Sequence, residues 1–143
     1  MSDQLEAASA ALRRGGLVVL PTDTVYGVGA LPRSHGGVAA IFAAKSRPMD
    51  KPVPVLAATT EDLADVVVFD GRARVVASVL WPGPLTLVLP RRADWPYDLG
   101  GDPATIAVRV PRNELARTLL ELTGPLAVTS ANRSGQEPAA TVA

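Results

Sequence analysis

The chain of 143 residues sets 14 basic against 14 acidic side chains, is 48% hydrophobic, and has no cysteine and a single histidine. That length and apolar content fit one globular domain with a core of its own, while the residues it lacks exclude thiol catalysis and cysteine-ligated metal sites and leave His35 too isolated for a triad or a histidine-based metal site. Zero net charge argues against bulk attraction to nucleic acid as the main activity; the apolar runs Leu17 to Pro21 and Val66 to Phe69 fall far short of the roughly 20 residues of a membrane helix; and an N-terminus with Asp3 and Glu6 before Arg13 lacks the order of a secretory signal, so a cytoplasmic protein without membrane contact is expected.

In chain order, residues 3 to 14 read as a helix capped by Ser2 or Asp3, with Leu5, Ala8 and Leu12 on one face and Gly15-Gly16 ending it. Leu17 to Leu20 is a short buried strand running into Pro21. Ser34 caps a helix from His35 to about Lys45, which Pro48 ends by disfavouring helical geometry at Arg47. Val53 to Ala57 is the next strand; Thr60 opens a short helix and Arg72 to Leu80 forms another. Trp81-Pro82-Gly83-Pro84 breaks the chain before a strand at Leu85 to Leu89. Thr105 to Val110 is a strand, Asn113 caps a helix from Glu114 to about Leu122, and Leu126 to Thr129 is the last strand before a polar loop. The alternation predicts an α/β fold with a mainly buried sheet of mixed direction and flanking helices.

Three segments are too polar to be core. In Pro21-Thr22-Asp23-Thr24-Val25-Tyr26-Gly27-Val28-Gly29, an extended chain would project Thr22, Thr24 and Tyr26 to one side; the alternative is a turn in which Asp23 bonds its own backbone. Lys45-Ser46-Arg47-Pro48-Met49-Asp50-Lys51 holds both lysines of the chain together with an arginine. Extended geometry before Pro48 lets Lys45 and Arg47 converge on one anion such as a polyphosphate; a solvated basic loop is the alternative. In Thr129-Ser130-Ala131-Asn132-Arg133, Ser130 and Asn132 suit phosphate or ribose, or a helix cap. Arg109, inside an apolar strand, needs either a structural carboxylate or a ligand anion. There is no Walker loop and no GxGxxG fingerprint.

Taken in order, PTDTVYGVGA, KSRPMDKPVPVL, WPGPLTLVLP, TIAVRVP and TSANRSG resemble the YrdC-like domain of the L-threonylcarbamoyladenylate synthase family over residues 16 to 138. The resemblance implies a twisted open mixed sheet with flanking helices and a large concave surface. It implies a nucleotidyltransferase that joins L-threonine, bicarbonate or carbon dioxide, and ATP into threonylcarbamoyl-AMP and pyrophosphate, for N6-threonylcarbamoyladenosine at position 37 of tRNA. It further implies a downstream tRNA threonylcarbamoyl-transferase machinery as partner, and contact with tRNA or double-stranded RNA.

By the same resemblance, Lys45 and Arg47 (the KxR pair) and Ser130 and Asn132 (the SxN pair) form the catalytic, ATP-binding set, with Lys51 and Thr105 as further nucleotide contacts. Thr24 and Arg109 match threonine-binding positions, Arg109 pairing with the carboxylate, and Thr22 and Tyr26 shape the pocket. Mg²⁺ comes with ATP rather than with a dedicated protein site. Leu56 stands where some members carry histidine. The family's domain continues beyond the SxN loop, so residues 1–143 are expected to form one YrdC-like domain truncated at its C-terminal end. Two other classes of function stay open: a noncatalytic module gripping structured RNA through the Lys45 to Lys51 loop and Arg133, and a domain that binds threonine or nucleotide without turnover.

Overall fold

The computed structural model describes residues 2–23, 25–45 and 51–130. Their elements are α1 (Ser2–Arg13), β1 (Val18–Pro21), β2 (Tyr26–Ala30), α2 (His35–Lys45), β3 (Val55–Leu56), α3 (Thr60–Leu63), α4 (Gly71–Leu80), β4 (Leu87–Pro90), β5 (Thr105–Arg109), α5 (Glu114–Thr123) and β6 (Leu126–Ser130). Helix boundaries follow local chemistry. Ser34 Oγ accepts the Gly37 amide, Thr59 the Asp62 amide, Asp70 the Ala73 amide and Asn113 the Ala116 amide, each satisfying a donor that the first helical turn leaves unpaired. At the end of α1, Gly15 adopts φ +82° and the Gly16 amide reaches back to the Ala11 carbonyl, an arrangement only glycine enters without strain.

The strands form one open sheet in the order β1-β2-β6-β3-β5-β4. Among the described residues only the β3–β5 pair is parallel and the other four pairings are antiparallel, so the sheet is mixed. Alternation along each strand divides its residues between two cores. Val55, Ala127, Ile106 and Val108 face a core completed by Ile41 and Phe42 of α2 and Ala73 and Ala77 of α4, whereas Leu56, Leu126 and Val128 join Leu5, Leu12, Leu119 and Leu120 of α1 and α5. On that second face Thr105, Ala107 and Arg109 are partly buried.

Three strands differ from the sequence reading: β4 begins at Leu87, two residues later than expected, and β2 and β3 differ in kind. β2 was expected as polar, glycine-punctuated chain, yet it pairs with both β1 and β6. Its glycines are needed by the sheet itself: a Cβ on Gly27 would stand 2.7 Å from Val128 Cγ1, so the valine of the neighbouring strand occupies the space a side chain would take. β3 is a two-residue ladder rather than the full stretch from Val53 to Ala57. Its flanks are paired differently, with the Val53 amide on the Leu99 carbonyl and the Ala57 amide on the Arg109 carbonyl.

Candidate functional site

The turn joining β1 to β2 is tight, because the Thr22 amide donates to the Val25 carbonyl at 3.0 Å and the Thr22 hydroxyl donates to the same oxygen. Thr22 and Tyr26 therefore flank a hairpin turn and are not successive outward residues of an extended strand, which corrects the extended reading of this segment. Asp23, in that turn, reaches over the sheet face to β5, three places along the strand order from β2.

There it meets four donor contacts. One carboxylate oxygen of Asp23 accepts the Asn113 amide at 2.7 Å and the Arg112 amide at 2.9 Å; the other accepts Arg109 Nη2 at 2.8 Å and shares the Arg112 amide at 3.0 Å. Both side chains are largely enclosed, Arg109 14% exposed and Asp23 13%. Burial works to raise the Asp23 carboxyl, but the Arg112 amide, the Arg109 guanidinium and the Asn113 amide together outweigh it and hold the group below its ordinary carboxylate value. Arg109 Nε donates to the Gly83 carbonyl at 2.8 Å, so the guanidinium is pinned through two of its nitrogens, Nε and Nη2. Arginine has five N–H donors; among the described residues these two contacts leave Nη1 without a protein acceptor.

Under the turn lies a cavity of about 170 Å³ on the sheet face, walled by Thr22, Tyr26, Leu56, Thr86, Arg109 and Ser130. β5 and β6 run in opposite directions, since β3 is parallel to the one and antiparallel to the other. Arg109 and Ser130 thus end their strands at opposite edges, and the site lies across the face rather than along one row of carboxyl ends. The register is specific: Val55 faces both Val108 and Ala127, which places Thr105 level with Ser130 and Arg109 level with Leu126. At about 3.3 Å per residue, the Arg109 level and the Ser130 level stand roughly 13 Å apart along the strands.

Of the expected site residues, the structure brings Thr22, Tyr26, Arg109 and Ser130 around one cavity. Thr105 does not border it but shares the face, half-buried at the Ser130 level. Lys45 is the last residue of α2 and Lys51 is exposed after the intervening segment. Thr24, Arg47 and Asn132 lie outside the described residues. Asp23 was missed as a site residue, although the demand of Arg109 for an anion and the lone carboxylate between Thr22 and Thr24 were both visible signals. Gly83, whose carbonyl holds Arg109, was read only as a chain break.

The architecture is an open mixed α/β sheet with a hydroxyl-rich, arginine-edged cavity on its face. The sequence pattern of the Sua5/YciO/YrdC family, described as telomere recombination, matches residues 10–143, and the chain belongs to that family. A relative from Mycobacterium leprae is 43% identical over 140 residues, covering 96% of this chain and 63% of that protein. Threonylcarbamoyl-AMP synthase of Pyrococcus abyssi is 42% identical over 135 residues, 93% of this chain and 40% of that one. The structure of P. abyssi Sua5 complexed with L-threonine superposes with a TM-score of 0.91 at 40% identity, over 97% of this chain and 42% of that one. The chain therefore spans less than two thirds of the length of these relatives.

Proposed function

We propose that this chain carries the threonine- and ATP-binding face of a threonylcarbamoyl-AMP synthase. The observation that carries the reading is Arg109: a largely enclosed guanidinium, held at Nε and Nη2, beside a cavity of hydroxyl-bearing residues. A planar fork of this kind suits a carboxylate, and a solved relative 40% identical in sequence is known with L-threonine bound. Arg109, with Thr24, takes the threonine carboxylate and amino-acid end; Thr22 and Tyr26 close the pocket around it.

The roughly 13 Å between the Arg109 and Ser130 levels leaves room for a second, linear ligand part. Ser130 and Asn132, with Thr105 at the same level, take the nucleotide and its phosphates, and Lys45, Arg47 and Lys51 offset the polyphosphate charge. In the reaction the neutral threonine amine bonds to carbon dioxide with release of a proton, or to the carbon of bicarbonate with loss of water, giving the carbamate in either case. A carbamate oxygen then bonds to the α-phosphorus of ATP as the bond to the β-phosphate oxygen breaks and pyrophosphate leaves. Such chemistry rests on placement and charge stabilisation rather than on a covalent protein intermediate.

The donor set suits Mg²⁺ carried on ATP. The cavity wall offers Thr22, Thr86 and Ser130 hydroxyls, Asp23 is committed to Arg109 and two amides, and among the described residues no three acidic or histidine side chains converge. Magnesium bound mainly through phosphate oxygens fits that wall. The product would pass to a tRNA threonylcarbamoyl-transferase machinery in the cytoplasm. Among the described residues no helix is long and apolar enough to cross a membrane. Isothermal titration of L-threonine against the wild-type chain and Arg109→Ala tests the reading: heat of binding is expected in the first and its loss in the second, and equal binding in both removes Arg109 from the site.

A further inference from the structure

We propose that Asp23 is a positioning residue for Arg109, fixing the guanidinium so that its remaining edge is presented to the carboxylate of the amino-acid substrate. This rests on the threonine reading given above. The geometry is a chain of three fixed points. The Arg112 and Asn113 amides at the start of α5 hold the Asp23 carboxylate at 2.7–3.0 Å, Asp23 holds Arg109 Nη2 at 2.8 Å, and the Gly83 carbonyl holds Nε at the same distance. An arginine side chain has about four rotatable bonds and loses much conformational freedom when a ligand alone immobilises it. Here that ordering is complete before a ligand arrives, so the ligand meets a preorganised donor.

The division of acceptors makes the idea separable from a merely structural role. In Asp23→Asn, the amide oxygen can still accept the Asn113 and Arg112 amides, while the NH₂ group faces Arg109 Nη2, donor against donor. The start of α5 is kept and the grip on Arg109 is lost. Free, the guanidinium can turn away from the cavity, and a displacement of about 1 Å at a recognising group is enough to weaken binding or rate by tenfold or more.

The experiment measures pyrophosphate release by the full chain as a function of L-threonine and of ATP, together with the Arg109 Nε–H resonance of the ligand-free protein by NMR. Asp23→Asn is expected to keep the fold, shift or broaden the Arg109 Nε–H signal, and raise the threonine KM about tenfold with the ATP KM unchanged. A folded variant with the wild-type threonine KM overturns the proposal. Asp23→Glu keeps the charge on a longer arm and serves where the asparagine variant does not fold; it is expected to raise the threonine KM alone, several-fold, and a wild-type value again overturns the proposal. If the wild-type chain shows neither threonine-dependent release nor a melting temperature shifted by threonine or ATP, the synthase reading falls, and the NMR signal still decides the clamp: a resonance that moves in Asp23→Asn upholds it, identical spectra remove it.

Discussion

The Asp23 carboxylate and the Arg109 guanidinium meet at 2.8 Å across 86 residues of sequence, and through that contact the β1–β2 turn is tied to the end of β5 and the start of α5. Because both partners are largely enclosed, the pair is far from the exposed ion pairs that contribute little. Removing one partner leaves the other's charge short of a contact.

Arg109→Ala is therefore expected to lower stability as well as to remove carboxylate binding. Asp23 would keep its two amide donors, so the loss should be about 2–3 kcal/mol in urea unfolding, below the range for a wholly uncompensated buried charge. A variant as stable as the wild type would show that the pair does not hold the turn.

Acid tolerance should report on the same carboxylate. The Asp23 pKa in the fold lies below its ordinary value, so its contribution is present in full above the unfolded value of about 3.9 and is lost as pH falls through the folded value. Thermal melts of the wild type should accordingly fall more steeply below about pH 4 than those of Asp23→Asn. Parallel acid limbs would contradict the assignment.

Gly27 should resist even alanine. Its Cβ would sit 2.7 Å from Val128 Cγ1 and 3.3 Å from the Thr129 carbonyl oxygen, a collision expected to cost about 1–3 kcal/mol. Val128→Ala in the same chain removes the offending methyl groups, so the double variant should be more stable than the sum of the singles implies, as chemical denaturation of the four proteins would reveal.

The two ends of the sheet face should separate in kinetics. Thr105 and Ser130 share one level and Arg109 lies roughly 13 Å along from them, so Ser130→Ala and Thr105→Val are expected to raise the ATP KM several-fold with little change for threonine, while Arg109→Lys does the reverse. Substitutions that move both constants equally would place both ligands at one end.

Helices were legible because their signals are local: Ser34, Asp70 and Asn113 each sit three residues before the amide they cap, and Gly15-Gly16 stops α1. β2 was not, since Gly27 and Gly29 look like punctuation until Val128 of another strand is placed against them. The same distance in sequence hid the role of Asp23. A buried arginine announces that it needs an anion, but which carboxylate answers is decided by the hairpin reaching across the sheet, and no local pattern encodes that. The motif blocks located Arg109 and Ser130; the strand register, invisible in sequence, sets them on opposite edges of one face.

The most direct measurement is pyrophosphate release from ATP by the purified 143-residue chain, with and without L-threonine and bicarbonate, and with mass spectrometry for threonylcarbamoyl-AMP. Release that requires both co-substrates and yields that product is the predicted result. Release indifferent to threonine, or a folded chain whose melting temperature is unmoved by either ATP or threonine and which forms no product, would contradict it.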